Sequence, residues 1–236
     1  MNIQLQKKPK GCTLIEGFPG FGLVGTIATE FLIDQLDCEQ IGRVMIEGMP
    51  PLVAIHEGSL VEPLGIFHNK KHNLIILHAI TASTGFEWKL ATALVKLAKE
   101  LAVKEILSLE GVGSPGMKVT SSAFYYTNQE KNRKLLEHYG MKPLKEGIIM
   151  GVTGALLLQS EKLPVTSFFA DTASNMPDSK AAARVVEGLT KYLGIRTDLK
   201  PLEKQAELFE KKLSGILNQS KKAQDLSERK KMSYVG

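Results

Sequence analysis

The sequence contains little cysteine, few aromatic side chains and no long apolar run. Its two cysteines, Cys12 and Cys38, have neither Cys-x-x-Cys nor Cys/His spacing, which argues against a disulfide scaffold and against a structural zinc site. The longest apolar stretches are shorter than the roughly 18 residues that a membrane span requires, and residues 1–10 contain no apolar run. We therefore expect a cytoplasmic protein without an export or membrane segment.

The composition and the length are those of an ordinary globular protein. Hydrophobic residues make up 43% and charged residues 23% of the 236 positions, so the chain has the bias neither of a disordered protein nor of a fibrous one. The length corresponds to about 1.6 average domains. One α/β domain with an appendage is therefore favoured over two full domains.

The positive charge is concentrated near the carboxyl end of the chain. Residues 200–232 contain nine Lys or Arg and five Asp or Glu, so this segment carries +4 of the formal net charge of +5. Aromatic residues in the last 37 positions are limited to Phe209 and Tyr234. Because nucleic-acid binding ordinarily combines basic residues with aromatics or a reading motif, the pattern favours a solvated basic helix and argues against nucleic acid as a partner.

Hydrophobic periodicity predicts that strands alternate with helices along residues 12–193. The predicted strands are Cys12–Glu16, Ile41–Ile46, Val53–Ile55, the region of Leu60, Leu64–His68, Leu74–Ile80, Glu105–Leu109, Ala123–Thr127, Gly147–Met150 and Val165–Ala170. The predicted helices are Leu23–Leu36, Phe86–Ala102, Gln129–Tyr139, Val152–Glu161 and Ser179–Leu193. This alternation predicts an α/β fold with a mostly parallel central sheet that helices cover on both faces.

The pattern changes after residue 198. Apolar residues recur at spacings of three and four from Leu199 to Leu217, which is typical of a helix with an apolar seam. We therefore predict three parts: an α/β domain over residues 1–198, a carboxyl-terminal helix over 199–220 that packs on a partner, and a basic tail over 221–236 that is mobile until it binds.

The first turn of the chain has two open interpretations. Residues Gly20–Gly25 satisfy the G-x-G-x-x-G pattern between a strand and a helix, and Glu47 ends the next predicted strand, as in a dinucleotide-binding site. However, Pro19 removes an amide donor, and Phe18 and Phe21 add bulk where a phosphate needs open backbone. The alternative is a tight turn whose glycines permit close packing.

The glycine-rich segment Glu110–Gly116 is predicted to be a loop rather than a catalytic site. Its serine, Ser114, lacks the G-x-S-x-G spacing of a nucleophile elbow, and no histidine is placed beside it by the sequence. A second local signal lies upstream, where Thr84 and Glu87 have the spacing of a capping box for the helix that follows. Neither segment supplies a catalytic residue.

The remaining candidate side chains do not form a recognisable constellation. His68 and His72 are four residues apart, but they flank a predicted hairpin turn, where the spacing does not bring two imidazoles to one face. Glu16, Glu47 and Glu110 lie at strand ends, a common place for acid and base groups in α/β enzymes. Because no pairing among them follows from the sequence, we predict no catalytic residue, no metal site and no bound cofactor.

Four ordered segments of the chain resemble the PAC2 family of proteasome assembly chaperones and their archaeal homologues. The resemblance spans residues 12–199, and the segments that carry it are Ile15–Gly25, Glu110–Gly113, Gly151–Leu157 and Asn175–Ala182, the last matching a Pro-Asp-x-Lys-Ala-Ala pattern. It implies a phosphorylase/hydrolase-like α/β fold, no catalytic activity, self-association and binding to the 20S proteasome core. It also implies that the glycine-rich turn is a family feature rather than a cofactor site.

The carboxyl end departs from the pattern of proteasome-binding relatives, whose chains end with a hydrophobic residue, a tyrosine and one final residue. Here the final residues are Met232, Ser233, Tyr234, Val235 and Gly236, so the tyrosine is third from the end. The carboxylate is therefore about 3.5 Å further from the ring than that pattern expects. The resemblance still designates these five residues as the candidate proteasome-binding tail, since a free carboxylate and a nearby aromatic ring suit terminal capture.

The resemblance and the chain pattern together predict a non-enzymatic homo-oligomer that binds the α-subunits of the 20S proteasome. Several tails on one scaffold would bind the α-ring cooperatively, either as an assembly factor or as an ATP-independent activator. The alternative from the residues alone is a nucleotide-binding enzyme that uses the Gly20–Gly25 loop.

Overall fold

The structure is a computed structural model that describes residues 2–49, 51–56, 58–81, 84–113, 123–160, 163–172 and 176–202, together with Lys204 and Gly215. Its strands are β1 Asn2–Leu5, β2 Thr13–Gly17, β3 Glu39–Met45, β4 Ala54–His56, β5 Ser59–Val61, β6 Leu64–Asn69, β7 Leu74–Ala79, β8 Glu105–Gly113, β9 Phe124–Thr127, β10 Lys142–Pro143 and β11 Val165–Thr172. Its helices are α1 Val24–Gln35, α2 Glu87–Glu100, α3 Glu130–His138, α4 Gly151–Gln159 and α5 Ser179–Leu193.

The strands of the described chain form a nine-stranded mixed sheet and a separate hairpin of β4 and β5. The order in the large sheet is β1-β3-β6-β7-β2-β8-β11-β9-β10. Strands β7, β2, β8 and β11 at its centre are parallel, whereas antiparallel pairs join β1, β3, β6 and β7 on one side and β11 to β9 on the other. The predicted α/β fold with a mostly parallel central sheet is confirmed.

Helices cover both faces of this sheet. Helices α1 and α5 pack on one face around Phe31, Phe168 and Val185. Helices α2 and α4 pack on the other around Leu90, Leu94 and Leu156. Strand β11 is buried along its whole length, because a central parallel strand has a helical layer above and below it. This arrangement brings the carboxyl ends of β2, β8 and β11 to one edge of the sheet.

The fold differs from the sequence prediction in the segment before α4. Gly147–Met150, predicted as a strand, has no regular structure, and Ile148 is 83% exposed. A short apolar run predicts a strand only when a sheet partner is available to bury it. The nearby two-residue strand β10 pairs with β9 instead, and residues 147–150 cross the surface toward α4.

Two predictions of local structure around β8 and α2 were also wrong. Strand β8 continues through the predicted loop as far as Gly113, because β11 pairs with it up to that residue. The amino end of α2 has no capping box: its cap is Phe86, and the Glu87 carboxylate accepts a hydrogen bond from the backbone N–H of Gly85 at 3.1 Å. The rest of the predicted loop, residues 114–116, lies outside the described residues.

The structure describes only the beginning of the predicted carboxyl-terminal helix, together with two isolated residues. Residues 200–202 are helical, and Leu202 is fully buried in the hydrophobic cluster that α1 and α5 share. The beginning of the predicted helix 199–220 therefore packs on the α/β body. Most of that helix and the whole tail 221–236 lie outside the described residues. In the part of the chain that the structure covers, no helix combines the length and apolarity needed to cross a membrane.

Candidate functional site

The turn between β2 and α1 is a close-packed element made of residues 17–23. Gly22 has φ 61° and Leu23 has φ 50°, so two consecutive residues in the left-handed region turn the chain into α1. A side chain at Gly17 would overlap the Gly25 backbone, and one at Gly25 would overlap the carbonyl of Leu109. These glycines therefore permit close packing of β2, α1 and β8, as the second interpretation of the sequence proposed.

The surroundings of this turn differ from those of a dinucleotide site. Gly20 faces the carboxyl group of Glu110, whose side chain fills the space beside this glycine where a phosphate would need open backbone. Glu47 follows β3, which β6 and β7 separate from β2; three strand spacings correspond to roughly 14 Å. In a dinucleotide fold the ribose-binding acid ends a strand beside the glycine turn. Glu47 is therefore not positioned as that acid.

Two of the strand-end glutamates, Glu16 and Glu110, lie side by side in the interior. The Thr153 hydroxyl of α4 lies 3.2 Å from Oε1 of Glu16 and 3.1 Å from Oε2 of Glu110. The Ser108 hydroxyl donates to the same Oε1 of Glu16 and lies 3.1 Å from the Thr153 hydroxyl. Glu16 Oε2 is buried without a hydrogen-bond partner. The structure therefore connects β2, β8 and α4 through a buried acidic pair.

Burial dominates the protonation of this pair. Glu16 is fully buried and Glu110 is 8% exposed. Burial raises the pKa of Glu16 to about 7, against the opposing effect of the hydrogen bonds from Ser108 and Thr153. Burial, with repulsion from Glu16, raises the pKa of Glu110 to about 8. Since each charge disfavours the other, the pair retains at least one proton near neutral pH.

A cavity opens beside Glu110 at this edge of the sheet. Its volume is about 280 Å³, and its walls come from the glycine-rich turn, the start of α2, β8 and the segment before α4. Its lining residues include Phe18, Phe21, Glu87, Glu110 and Met150. Both ionisable groups among these described lining residues are acidic. The cavity therefore suits a neutral or positively charged group better than an anion.

The pair does not have the geometry of a nucleophilic site. Ser108 is fully buried, and its hydroxyl donates to Glu16 rather than facing the cavity. A serine nucleophile needs access to substrate and a base that accepts its proton while another group stabilises the resulting charge. The described arrangement can hold a proton and join three segments, and it offers no exposed nucleophile.

The histidines are placed as structural groups rather than as a metal site. His78 Nδ1 lies 2.8 Å from the Thr29 hydroxyl, and its Nε2 lies 2.8 Å from a carboxylate oxygen of Glu30, so His78 connects β7 to α1. His68 is in β6, and His72 is in the turn before β7, with its backbone N–H bound to Asn69. Within the described ranges, no three or more His, Cys, Asp or Glu side chains are arranged to hold a metal.

Other predicted residues lie outside the described part of the chain. Ser114 belongs to the segment 114–122, and the proposed tail, Met232, Ser233, Tyr234, Val235 and Gly236, belongs to the segment 216–236. Sequence reasoning did identify Glu16 and Glu110 as strand-end acids but not their pairing. It missed the site role of Ser108, Thr153 and Glu87, because that role depends on the strand order and on the contact of α4 with the sheet.

Comparison of the chain with models of known protein families gives a match. The model of the PAC2 family matches residues 14–217. The chain belongs to the PAC2 family. The resemblance stated from the sequence is therefore confirmed, and the matched range includes β2, the glycine-rich turn, both glutamates of the buried pair and α4.

PAC2-family relatives match nearly the full chain. A Methanocaldococcus jannaschii protein, MJ0106, is 28% identical over 225 residues, which are 94% of this chain and 92% of that protein. The crystal structure of Pyrococcus furiosus PbaA, described as an archaeal homologue of proteasome-assembly chaperone, has a TM-score of 0.83 and 34% identity and covers 94% of this chain and 99% of PbaA. The structure of P. furiosus PbaB, described as an archaeal proteasome activator, shares the fold, with a TM-score of 0.75, 22% identity and coverage of 91% and 98%.

Proposed function

We propose that this PAC2-family protein is a non-enzymatic factor that binds the α-subunits of the 20S proteasome core. It acts as a homo-oligomer whose carboxyl-terminal tails bind the α-ring together, either during ring assembly or on the finished core as an ATP-independent activator. It carries out this function in the cytoplasm. No nucleotide, metal or catalytic residue is required.

One observation carries this proposal: the 34% identity to PbaA extends over 94% of this chain and 99% of PbaA. Similarity over nearly the full length of both chains means that the shared region is the whole body rather than a common α/β core. PbaA is described as a homologue of proteasome-assembly chaperone. The cavity argues against the alternative nucleotide-binding enzyme, because its described lining has no basic side chain to bind phosphates.

An exposed apolar surface supports self-association. Trp88 of α2, Ile148 and Met150 before α4, and Leu158 of α4 are all more than half exposed, and we call these four residues the apolar rim. Helices α2 and α4 are adjacent, since Gln159 Nε2 of α4 lies 3.5 Å from the carbonyl of Trp88. Large apolar side chains grouped on a surface are typical of a protein interface. A second copy of this chain is the occupant that the proposed oligomer requires.

Self-association gives the tail its effect. A single tail of five residues offers little contact area, but tails on one scaffold bind with an effective concentration set by the scaffold. Later tails then bind intramolecularly, which raises affinity by about 10² to 10⁴ when the geometry allows simultaneous contact. The proposal therefore needs both the oligomer and the free carboxyl end.

Deletion of Met232–Gly236 tests the tail. We expect the truncated protein to retain its oligomeric mass in light scattering but to lose co-sedimentation with 20S cores. A matched variant deletes Val235 alone, which makes Tyr234 the second residue from the end and should strengthen binding. Undiminished binding after the five-residue deletion would contradict the tail mechanism, whereas loss of the oligomer in the variant would assign the effect to the scaffold.

Two further assays separate the assembly role from the activator role. Peptide hydrolysis by finished 20S cores should increase when the protein is added if it acts as an activator. Formation of α-rings from separate α-subunits should increase if it acts during assembly. An effect in neither assay, together with no binding, would refute the proposed function.

A further inference from the structure

The hydrogen bonds available to the buried pair are too few for both carboxyl groups to be ionised. The two carboxyl groups of Glu16 and Glu110 have four oxygens, but the Thr153 hydroxyl has one hydrogen and can donate to only one of them at a time. Ser108 donates to Oε1 of Glu16, and the backbone of Gly111 contributes a hydrogen bond to Glu110. Glu16 Oε2 has no partner. With both carboxyls ionised, buried oxygens would remain without donors.

The charged groups around the pair do not compensate a second negative charge. Glu87 of α2 lies across the cavity from Glu110, and α4 and the glycine-rich turn contain no ionisable side chain. His78 of β7 is bound to Thr29 and Glu30 of α1. At the end of β11 lies Asp171, whose carbonyl binds Arg184 of α5, and Asp178 caps α5. No cation among these groups of the described chain is directed at the pair.

The pair also holds three segments in contact. Glu16 is the penultimate residue of β2, directly before the glycine-rich turn. Glu110 lies in β8 with its carboxylate against Gly20 of that turn. Thr153 belongs to the first turn of α4, and the preceding residues 147–150 have no regular structure.

We propose that Glu16, Glu110 and Thr153 form a proton-dependent clasp. When the pair holds a proton, Thr153 binds α4 to Glu16 of β2 and Glu110 of β8. When that proton is lost to solvent base, the two carboxylates repel each other and the first turn of α4 moves away, which widens the cavity beside Glu110. This proposal concerns the isolated chain and does not depend on the proteasome.

The pKa values of the two glutamates indicate the pH at which α4 should move. The raised pKa values, about 7 for Glu16 and about 8 for Glu110, mean that the last proton leaves in mildly alkaline solution. Thr153 transmits the change because it is the α4 side chain that contacts both carboxyls. The apolar rim residues Ile148 and Met150 directly precede α4, so their surface would change with it.

Hydrogen exchange of the full-length protein tests the clasp. Exchange of residues 147–156, corrected for intrinsic rates, should increase about tenfold between about pH 6 and about pH 9. Glu110→Gln cannot ionise and should keep the slow rate throughout, whereas Thr153→Val should exchange rapidly at every pH, because the connection to α4 is lost. The fluorescence of Trp88, the single tryptophan, gives a second measurement of movement of α4, because the Trp88 carbonyl lies beside Gln159 of that helix.

A matched control replaces an exposed glutamate that forms a helical ion pair, Glu187→Gln, and should reproduce the wild-type profile. If Glu110→Gln fails to fold, Glu16→Gln tests the same claim at the other carboxyl. An unchanged pH transition in either glutamine variant would overturn the clasp, as would a wild-type rate that does not depend on pH after correction. Hydrogen exchange that stays slow at every pH in Glu110→Gln and rapid at every pH in Thr153→Val would support the clasp.

Discussion

Two glutamates on strand β8, Glu105 at its beginning and Glu110 near its end, have different surroundings. Oε1 of Glu105 accepts hydrogen bonds from Thr166 and Asn132, both at 2.5 Å, and Oε2 accepts one from Tyr192 at 2.7 Å. Glu110 instead shares the Thr153 hydroxyl with a second carboxyl. Strand β8 thus has, at its beginning, a carboxyl group with hydrogen bonds to both oxygens. Near its end it has a carboxyl group that shares a hydrogen-bond donor with Glu16 of β2.

The difference separates a structural polar network from a functional one. At Glu105, burial raises the pKa, but three side-chain donors on α3, β11 and α5 oppose that effect. At Glu110, burial and Glu16 act in the same direction. A group whose donors are complete stabilises one conformation, whereas a group that lacks donors and faces a like charge responds to its environment. The cavity lies at the second group.

The largest expected effect is the loss of the Glu105 network. Glu105→Ala removes the acceptor for the hydroxyl of Tyr192 and for donors on Thr166 and Asn132, and buried donors without acceptors are costly. We expect the free energy of unfolding at neutral pH to fall by about 3 kcal/mol in urea titrations. The control Glu187→Ala, at an exposed side chain of α5, should change it by less than about 0.5 kcal/mol. Equal effects of the two variants would show that the network adds no stability.

A side chain at Gly20 should disturb the other edge of β8. Gly20→Ala places a Cβ against the carboxylate of buried Glu110, so that carboxylate must move within a packed region. The expected loss is about 2 kcal/mol by thermal or urea unfolding. The control is Gly147→Ala in the exposed segment before α4, where the neighbouring Leu144 side chain can yield. If Gly20→Ala leaves the free energy of unfolding unchanged, Gly20 and Glu110 are not tightly packed.

The pH dependence of stability tests the acidic pair. Because the folded-state pKa values of Glu16 and Glu110 lie above their ordinary values, the folded protein binds more protons than the unfolded chain between about pH 5 and pH 8. Stability contributed by these protons is complete below that window and is lost as pH rises through it. We expect the free energy of unfolding to decrease across this window by more than the roughly 1.4 kcal/mol that one pKa unit represents.

Glu110→Gln checks the origin of that decrease. The carboxamide resembles the protonated acid and cannot ionise, so the share of the pH dependence that Glu110 contributes should disappear from urea titrations, while the share that burial of Glu16 contributes should remain. The variant should be at least as stable as the wild type at about pH 8, in contrast to Glu105→Ala. A variant that keeps the wild-type slope would assign the pH dependence to other groups, with Glu105 as the next candidate.

The smallest expected effect is that of removing the Thr153 hydroxyl. Thr153→Val keeps the volume of the side chain but removes the hydroxyl that contacts Glu16 and Glu110. The free energy of unfolding should fall by about 1 kcal/mol. Thr92→Val, which removes an exposed hydroxyl on α2, should cost less than that. If both variants lose the same stability, Thr153 has no special connection to the pair.

The sequence predicted elements where periodicity is strong, and it failed where tertiary pairing decides. Helix α5 has the predicted bounds, Ser179–Leu193, because its apolar residues recur at helical spacing and Asp178 and Gly194 mark its ends. The strand predicted at Gly147–Met150 was wrong, since four apolar or small residues do not specify whether a sheet partner exists. The extension of β8 to Gly113 depends on pairing with β11, which local sequence does not encode.

The candidate site was predictable only in part for the same reason. Glu16 and Glu110 were recognised as acids near strand ends, although β8 continues past Glu110 to Gly113, and β2 and β8 are neighbours only because of the strand order. Thr153 reaches the pair because α4 packs over that edge. Proximity between residues that are 43 to 137 positions apart cannot follow from spacing; the largest separation is that of Glu16 and Thr153, and the smallest is that of Glu110 and Thr153.

Native mass measurement with and without 20S cores tests the central claim most directly. The chain alone, at 25.9 kDa per copy, should have a mass that is a multiple of the single chain, and mixing with 20S cores should produce a heavier complex that carries this oligomer. A mass of one chain, together with 20S cores of unchanged mass, would contradict a multivalent proteasome-binding factor.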